Sequence, residues 1–542
     1  MATESSSKVS AQPSPLARTW QRLWAARADI ILVLSFILIT GLYALLMVRD
    51  AVPTLGLALL GACFLLYWVL SGRWFISPMG LSLLGLLALV PLSLAISVDM
   101  DLSLPKAYGL VLGIAMAVLI VLFIRRPGRV RVAIFALCLL GIGVAALGLL
   151  GTDWSAEKFL PLPQVYSKLP QILPEVPRST SGGGIHVNIL AGGLTFLVPL
   201  LVGLVWYKHA DQPDEMFDHP QFDKWVYWLE KTLVLLSLIL VLGTLLLTQS
   251  RGGYLGVAVG LFTLAIWKDR RFLWVLPFLW IGFFQAQQIF ADGNMGEFLQ
   301  LLDFNEGFTF TQRMEFWQRA LYLIQDFPFT GSGMGTYGTL VNTLYPFSFT
   351  SETNISQAHN MLLSVAVDLG LPALVLYVAL LSSFVCMIWL TYKSADRKTQ
   401  ALLRGLACGM LAYQVFGIMD ALMLGSKLGI IMWIFFGLAA ALYVHRGQPQ
   451  PQQQAVVNKH LFPLFHKPNW GRLGRTLVYL LFGLANWAFF SIVAVIFVNN
   501  LPLLSVIVAV LGGTLLGVIL TLRYEFDLHP SAKPEGNAIE PS

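Results

Sequence analysis

LVLLSLILVLGTLLLTQSRGGYLGVAVGLFTLAIWK, residues 233–268, decides how the rest of the chain is read. An apolar run ends at Thr248, an arginine and two glycines follow at Arg251, Gly252 and Gly253, and an apolar run resumes at once. A hydrocarbon core roughly 30 Å thick takes about 20 residues of helix. The first run therefore reads as a membrane span, and the second, shorter and rich in glycine, as its return. The Arg251 guanidinium then stands at a membrane boundary. Its meaning depends on which face that is and on what else stands there.

Composition supports the membrane reading. The 542 residues are 57% hydrophobic and 12% charged, with a mean hydropathy of +0.72. Soluble domains carry about 25% charged residues. Unbroken apolar runs suit helices better than the alternating strands of a barrel. The formal charge of +6 does not point to nucleic acid, because the basic residues sit in short clusters between apolar runs, as topology determinants do. Cys63, Cys138, Cys386 and Cys408 all lie inside apolar runs, so neither a disulfide framework nor a metal site is expected. Residues 1–28 lack the short apolar region and small-residue cleavage site of a signal peptide, and the first run reads as an uncleaved anchor.

About fourteen spans can be counted, centred near residues 38, 61, 87, 115, 140, 196, 238, 260, 281, 381, 410, 435, 487 and 512. With both ends in the cytoplasm, that side receives Arg18, Arg22 and Arg27, then Arg125, Arg126, Arg129 and Arg131, and later the clusters at 268–271, 393–404 and 459–475. Only nine of the 35 Lys and Arg residues fall outside: Arg49, Lys106, Lys158, Lys168, Arg178, Arg251, Arg313, Arg319 and Lys427. This is the bias that the positive-inside rule requires. The organisation expected is a cytoplasmic tail (1–28), a transmembrane core (29–445), a cytoplasmic Gln/Pro-rich linker (446–476), two additional spans (477–522) and a cytoplasmic tail (523–542).

Two long outer loops accompany the outer cations, one at about 152–186 and one at about 291–358. The second carries aromatics throughout, among them Phe304, Phe308, Phe316, Trp317, Tyr337 and Tyr345, so order is expected rather than disorder. Within it, TFTQRMEFWQRALYLIQDFP reads as an amphipathic helix with Met314, Trp317, Leu321 and Ile324 on one stripe, Thr309 and Gln312 at capping-box spacing, and Pro328 at its end. A glycine-rich turn, FTGSGMGTYG, follows.

Four outer-face features could carry chemistry. Arg251 could snorkel to lipid phosphates, but outer arginines are uncommon, and the paired glycines beside it would let backbone approach a ligand closely. Arg313 lies in the first turn of the loop helix, where a cation opposes the helix dipole and a bound anion would compensate; Arg319, further along, suits the solvated polar face. His359, in SQAHNMLLSVAVDLGLP, lies where the long loop re-enters the membrane, beside Ser356, Gln357 and Asn360. Histidine is the side chain best suited to accept a proton near neutral pH. SGGGIHVNILAGG, residues 181–193, brings His186 and Asn188 to the start of another span, and close helix packing through small residues explains most of its glycines. Cations and imidazoles at one face, without paired carboxylates, suit an anionic, membrane-borne ligand such as a diphosphate. No P-loop and no HExxH or zinc-ligand cluster occurs in the sequence, which argues against an ATP-driven pump or a metalloprotease.

TQSRGGYLG, RMEFWQRALYLIQDFPFTGSGMGTYG and AHNMLLSVAVDLG, in this order, resemble elements of the O-antigen ligase and O-antigen polymerase superfamily, with SVDMDLSL and HVNILAG similar to its weaker upstream signatures. The resemblance spans roughly Asp29 to Tyr443. It implies an all-α polytopic protein of the GT-C type, with about 12 core helices and the two C-terminal ones beyond the usual core. It also implies a metal-independent, inverting glycosyltransferase without cofactor, working at the extracytoplasmic face of the inner membrane. The donor would be a polyprenyl-diphosphate-linked glycan, as in lipopolysaccharide and other polysaccharide biosynthesis. Carried over by motif, His359 would be the catalytic residue. Arg251, Arg313 and Lys106 would bind the donor diphosphate, with His186, Asn188, Asn360 and Arg319 as supporting candidates. The acceptor stays open among lipid A core, a growing glycan and a protein hydroxyl. Some superfamily members are labelled bicarbonate transporters, so anion transport is the competing reading, with a non-catalytic assembly protein behind it. A transporter should carry polar groups at mid-span, and here only Asp368 and Asp420 are candidates for that.

Overall fold

The computed structural model describes residues 15–71, 77–124, 127–152, 154, 163–169, 185–206, 220–291, 310–349, 355–446, 470–499 and 501–527. Its elements are helices: α1 (Pro15–Arg49), α2 (Thr54–Ser71), α3 (Gly80–Ala95), α4 (Met100–Phe123), α5 (Pro127–Gly151), the short α6 (Pro163–Tyr166), α7 (Val187–Val205), α8 (Pro220–Thr248), α9 (Arg251–Lys268) and α10 (Val275–Ala291). In the second half they are α11 (Phe310–Asp326), α12 (Tyr337–Leu344), α13 (Met361–Leu369), α14 (Leu371–Tyr392), α15 (Arg397–Met419), α16 (Ile430–Val444), α17 (Trp470–Ile496) and α18 (Pro502–Asp527). The chain is an all-α polytopic membrane protein, with 12 helices among the described residues long and apolar enough to cross a membrane. The other two runs counted in the sequence are also helices. Gly80–Ala95 is shorter than the twelve, and Arg251–Lys268 has a charge at each end and four glycines that lower its hydropathy.

The centre is built from α7, α9 and α15, and small residues set how closely they approach. A Cβ on Gly256 of α9 would collide with the Ala412 carbonyl oxygen of α15, and one on Gly409 of α15 with the Phe196 carbonyl oxygen of α7. Such positions let helix backbones meet where lipid offers no hydrophobic drive for association. At the N-terminal end of α15, Glu230 of α8 is buried between Arg131 of α5 (3.2 Å) and Lys398 (2.9 Å). The sequence assigns both cations to the cytoplasmic side, and the fold puts them at one end. The residues singled out for chemistry gather at the other end, around residues 420–427.

The last two helices are not peripheral. Along α14, Gly513 and Gly517 of α18 bring its backbone against the Val375 and Ala379 carbonyls, and Ser383 Oγ donates to the Gly517 carbonyl at 3.1 Å. Gln325 of α11 donates to the carbonyls of Val498 and Asn499, in the turn between α17 and α18, at 3.3 and 3.1 Å.

The loop helix forms as α11, with its apolar surface divided. Phe316, Ala320, Leu323 and Ile324 are buried in the core. Of the stripe read from the sequence, only Ile324 belongs to that face. Met314 is exposed and Trp317 and Leu321 are half-buried, along a groove. A 3.6-residue period fits either register, and the loop's own aromatics decide between them, since Phe347 and Phe349 close on Phe316 at ring distances of 5.3 and 6.0 Å. Thr309, Lys158, Arg178, Phe304, Phe308, Ser181, most of the linker and both chain ends lie outside the described residues.

Candidate functional site

The site is built on helix ends. Asn360 caps α13: its Oδ1 accepts from the Leu362 and Leu363 N–H groups, both at 3.1 Å, while its Nδ2 donates to the Ile418 carbonyl at 3.1 Å. One side chain therefore starts α13 and ties it to the last turn of α15. Such a cap is worth about 1 kcal/mol. His359, the preceding residue, has φ +49°, in the left-handed region. Non-glycine residues there store of order 1–3 kcal/mol, and such strain clusters at functional sites. Gln249, just ahead of the SRG element, shares this conformation at φ +51°.

The strained backbone aims the imidazole at a carboxylate. His359 Nδ1 lies 3.1 Å from Oδ1 of Asp420, the residue that ends α15. The same oxygen accepts from Gln357 Nε2 at 3.2 Å and from the Ala421 N–H at 2.8 Å. Phe316 covers the imidazole, with ring centroids 5.5 Å apart. Burial pushes the Asp420 carboxyl up, but His359, the Ala421 N–H and Arg313 outweigh it and hold it below the usual carboxylate range. Asp420 is thus an anion, and an anion on Nδ1 favours the tautomer with its proton on Nδ1 and its lone pair on Nε2.

Arg313 reaches the same cluster from α11, close enough to stabilise the Asp420 anion. Its Nε is buried with no hydrogen-bond partner among the described residues. Arg319 is occupied otherwise, with one amino group 2.8 Å from Glu315 and 3.2 Å from the Pro346 carbonyl oxygen. Arg251 opens α9, exposed, one residue past the Ser250 cap. Gly252 beside it would place a Cβ only 3.4 Å from Phe416 of α15, one turn before Asp420. Arg251 is therefore carried to the end of the bundle that bears the His359–Asp420 pair.

His186 caps α7, its Nδ1 accepting from the Asn188 N–H at 3.2 Å. Gly192, further along α7, is packed against Phe416 and Leu422. His186 and Asn188 thus sit at the same end as a local cap. Lys106 of α4 lies against the glycine-rich turn: its Cγ would be 3.4 Å from a Cβ on Gly335, and its carbonyl presses on Gly425. Gly331, Gly333 and Gly335 all have positive φ (67°, 101° and 78°), which is why that turn is glycine-rich. The Gly335 N–H donates to Asp368 at 3.1 Å. Burial pushes the Asp368 carboxyl up to about 7, against that N–H and the nearby Lys106. Lys427 pairs with Asp50 at 2.6 Å.

The arrangement brings His359, Asn360 and Arg313 to the Asp420 end of α15, and carries Arg251 to the same end of the bundle. Lys106 and His186 stand on neighbouring elements. Sequence reasoning missed Asp420 as the partner of His359. The available signal was a carboxylate closing a span on a face rich in cations.

Residues 236–378 match a family model described as O-antigen ligase. No curated protein matches the chain. The matched segment includes Arg251, Arg313, Arg319, His359 and Asn360, and ends short of Asp420. It supports the O-antigen ligase-like superfamily and, with the many membrane-length helices, a membrane enzyme of the ligase or polymerase type that transfers glycans. It lends nothing to the transporter reading.

Proposed function

We propose that the chain transfers a glycan from a polyprenyl-diphosphate-linked donor to an acceptor hydroxyl at the extracytoplasmic face, without a metal and with inversion. The observation that carries this reading is the His359–Asp420 pair beside Arg313, within one helix end of Arg251. The acceptor oxygen attacks the anomeric carbon while the bond from that carbon to the diphosphate oxygen breaks. The acceptor proton passes to His359 Nε2, and Asp420 stabilises the imidazolium that forms. Arg251 and Arg313 meet the negative charge that gathers on the leaving diphosphate. Lys106 of α4, beside the glycine-rich turn, adds a further cation from a neighbouring element. Asn360 acts by holding α13 to α15, which fixes where His359 stands. His186 and Asn188 shape the same end from α7, and Arg319 braces the loop through Glu315.

The test uses purified full-length protein in lipid nanodiscs, given a polyprenyl-diphosphate-linked oligosaccharide and an acceptor glycolipid, with and without EDTA. In parallel, proteoliposomes are assayed for bicarbonate flux. Glycan transfer that survives EDTA, without flux, is the expected result. EDTA-sensitive transfer would refute the metal-free mechanism, and flux without transfer would refute the enzyme.

A further inference from the structure

A groove of about 950 Å³ runs between α11, α13 and α18 and reaches Asn360, the neighbour of His359. This volume is at the upper end of the range for small-molecule sites. Its lining is part apolar and part polar. Trp317 and Leu321 of α11, Leu362 of α13, and Leu503 and Val506 of α18 supply apolar surface. The apolar stripe of α11 left out of the core is what faces it, which gives that stripe a use. Glu315, Gln318, Arg319, Ser348 and Asn360 supply polar groups.

These polar groups carry no net charge. The Glu315 carboxylate accepts from Arg319 at 2.8 Å, from the Ser348 N–H at 2.7 Å and from Ser348 Oγ at 2.8 Å. The cation is matched within the network, so a diphosphate gains little there. Amides, a hydroxyl and an indole beside an apolar trough suit uncharged sugar hydroxyls joined to a hydrocarbon chain. The α18 wall is fixed: Gly513 and Gly517 seat it on α14, and Gln325 holds the turn before it. Leu503 and Val506 stand in the first turns of a membrane-length helix, where a hydrocarbon chain entering the bilayer would run.

We propose that this groove is the acceptor site, and that it takes an uncharged glycan on a hydrocarbon anchor, with the sugar against Glu315, Ser348 and Asn360 and the chain against Leu503 and Val506. This rests on the glycosyl-transfer reading of the His359 site, and it gives the C-terminal helix pair a part in recognising substrate. The acceptor hydroxyl then approaches His359 from the α13 side, while the donor diphosphate is held by the arginines.

The test is binding without turnover. Full-length protein carrying a photoreactive benzoylphenylalanine in place of Leu503 is placed in phosphatidylcholine nanodiscs and irradiated with tritiated octadecyl maltoside or with tritiated undecaprenyl diphosphate. The same substitution at Leu511 is the control, because Leu503 and Leu511 are both 59% exposed on one helix. Maltoside labelling at position 503 is expected to exceed that at 511 by about fivefold, equivalent to roughly 1 kcal/mol of preference. It should persist in a His359→Gln background and resist competition by unlabelled undecaprenyl diphosphate. Equal labelling at 503 and 511 would mean bulk lipid contact only, and stronger labelling by the diphosphate would make the groove a donor site; either overturns the proposal. Absence of transfer by the wild-type enzyme with the labelling intact would count against the catalytic reading instead.

Discussion

Asp420→Asn isolates the electrostatic part of the site. The substitution keeps an oxygen for the Ala421 N–H and for His359 Nδ1, at 2.8 and 3.1 Å in the wild type, so the end of α15 should hold. It removes the negative charge that stabilises a protonated imidazole. A hydrogen bond to a charged partner is worth about 1.5–3 kcal/mol. At about 1.4 kcal/mol per factor of ten, transfer should fall between roughly tenfold and a hundredfold. The assay is initial transfer rate in nanodiscs at saturating donor, with donor affinity measured separately by equilibrium binding. The loss should appear in kcat, with donor affinity little changed. Because the two groups act as a unit, Asp420→Asn should add almost nothing to His359→Gln. A fully active Asp420→Asn enzyme, or a double variant whose losses multiply, would refute the pairing argument.

The arginines give a second set of outcomes. Arg251→Lys keeps the charge but loses the planar fork, so it should weaken donor binding and transfer together; Arg313→Ala should do the same and be less than additive with Arg251→Ala, measured by donor titration. A chain stopped after Arg446 should show a melting temperature several degrees lower in detergent, because it uncovers the face of α14 that α18 packs against, and an unchanged melting temperature would contradict that packing. On a cysteine-free background, Leu344→Cys should react from outside the cell with an impermeant thiol reagent and Ser394→Cys should not; both positions are exposed, and the reverse pattern would invert the proposed orientation.

Hydropathy made the helices legible, since twelve of the apolar runs are long enough to span, and the separation of Arg131 and Lys398 from Arg251 and Arg313 followed from where basic clusters fall. His359 could be singled out because it is a lone imidazole in a polar run ahead of an apolar helix. Its partner could not, because Asp420 lies 61 residues further on and meets it only once α13 and α15 share an end. The buried face of α11 differs from the stripe its period suggests for a related reason: Phe316 is drawn inward by Phe347 and Phe349, contacts that no helical period encodes. The linker made the last two spans look separable, while the glycines that seat α18 on α14 resemble those of any membrane helix.

Every step of the mechanism turns on whether His359 accepts the acceptor's proton. The direct measurement compares wild type with His359→Gln in nanodiscs, following both binding of a polyprenyl-diphosphate glycan and its transfer to a glycolipid. Donor binding should be unchanged and transfer should fall by roughly 10²–10⁴, the loss expected of a missing general base. Transfer at the wild-type rate by His359→Gln would contradict the mechanism at its centre.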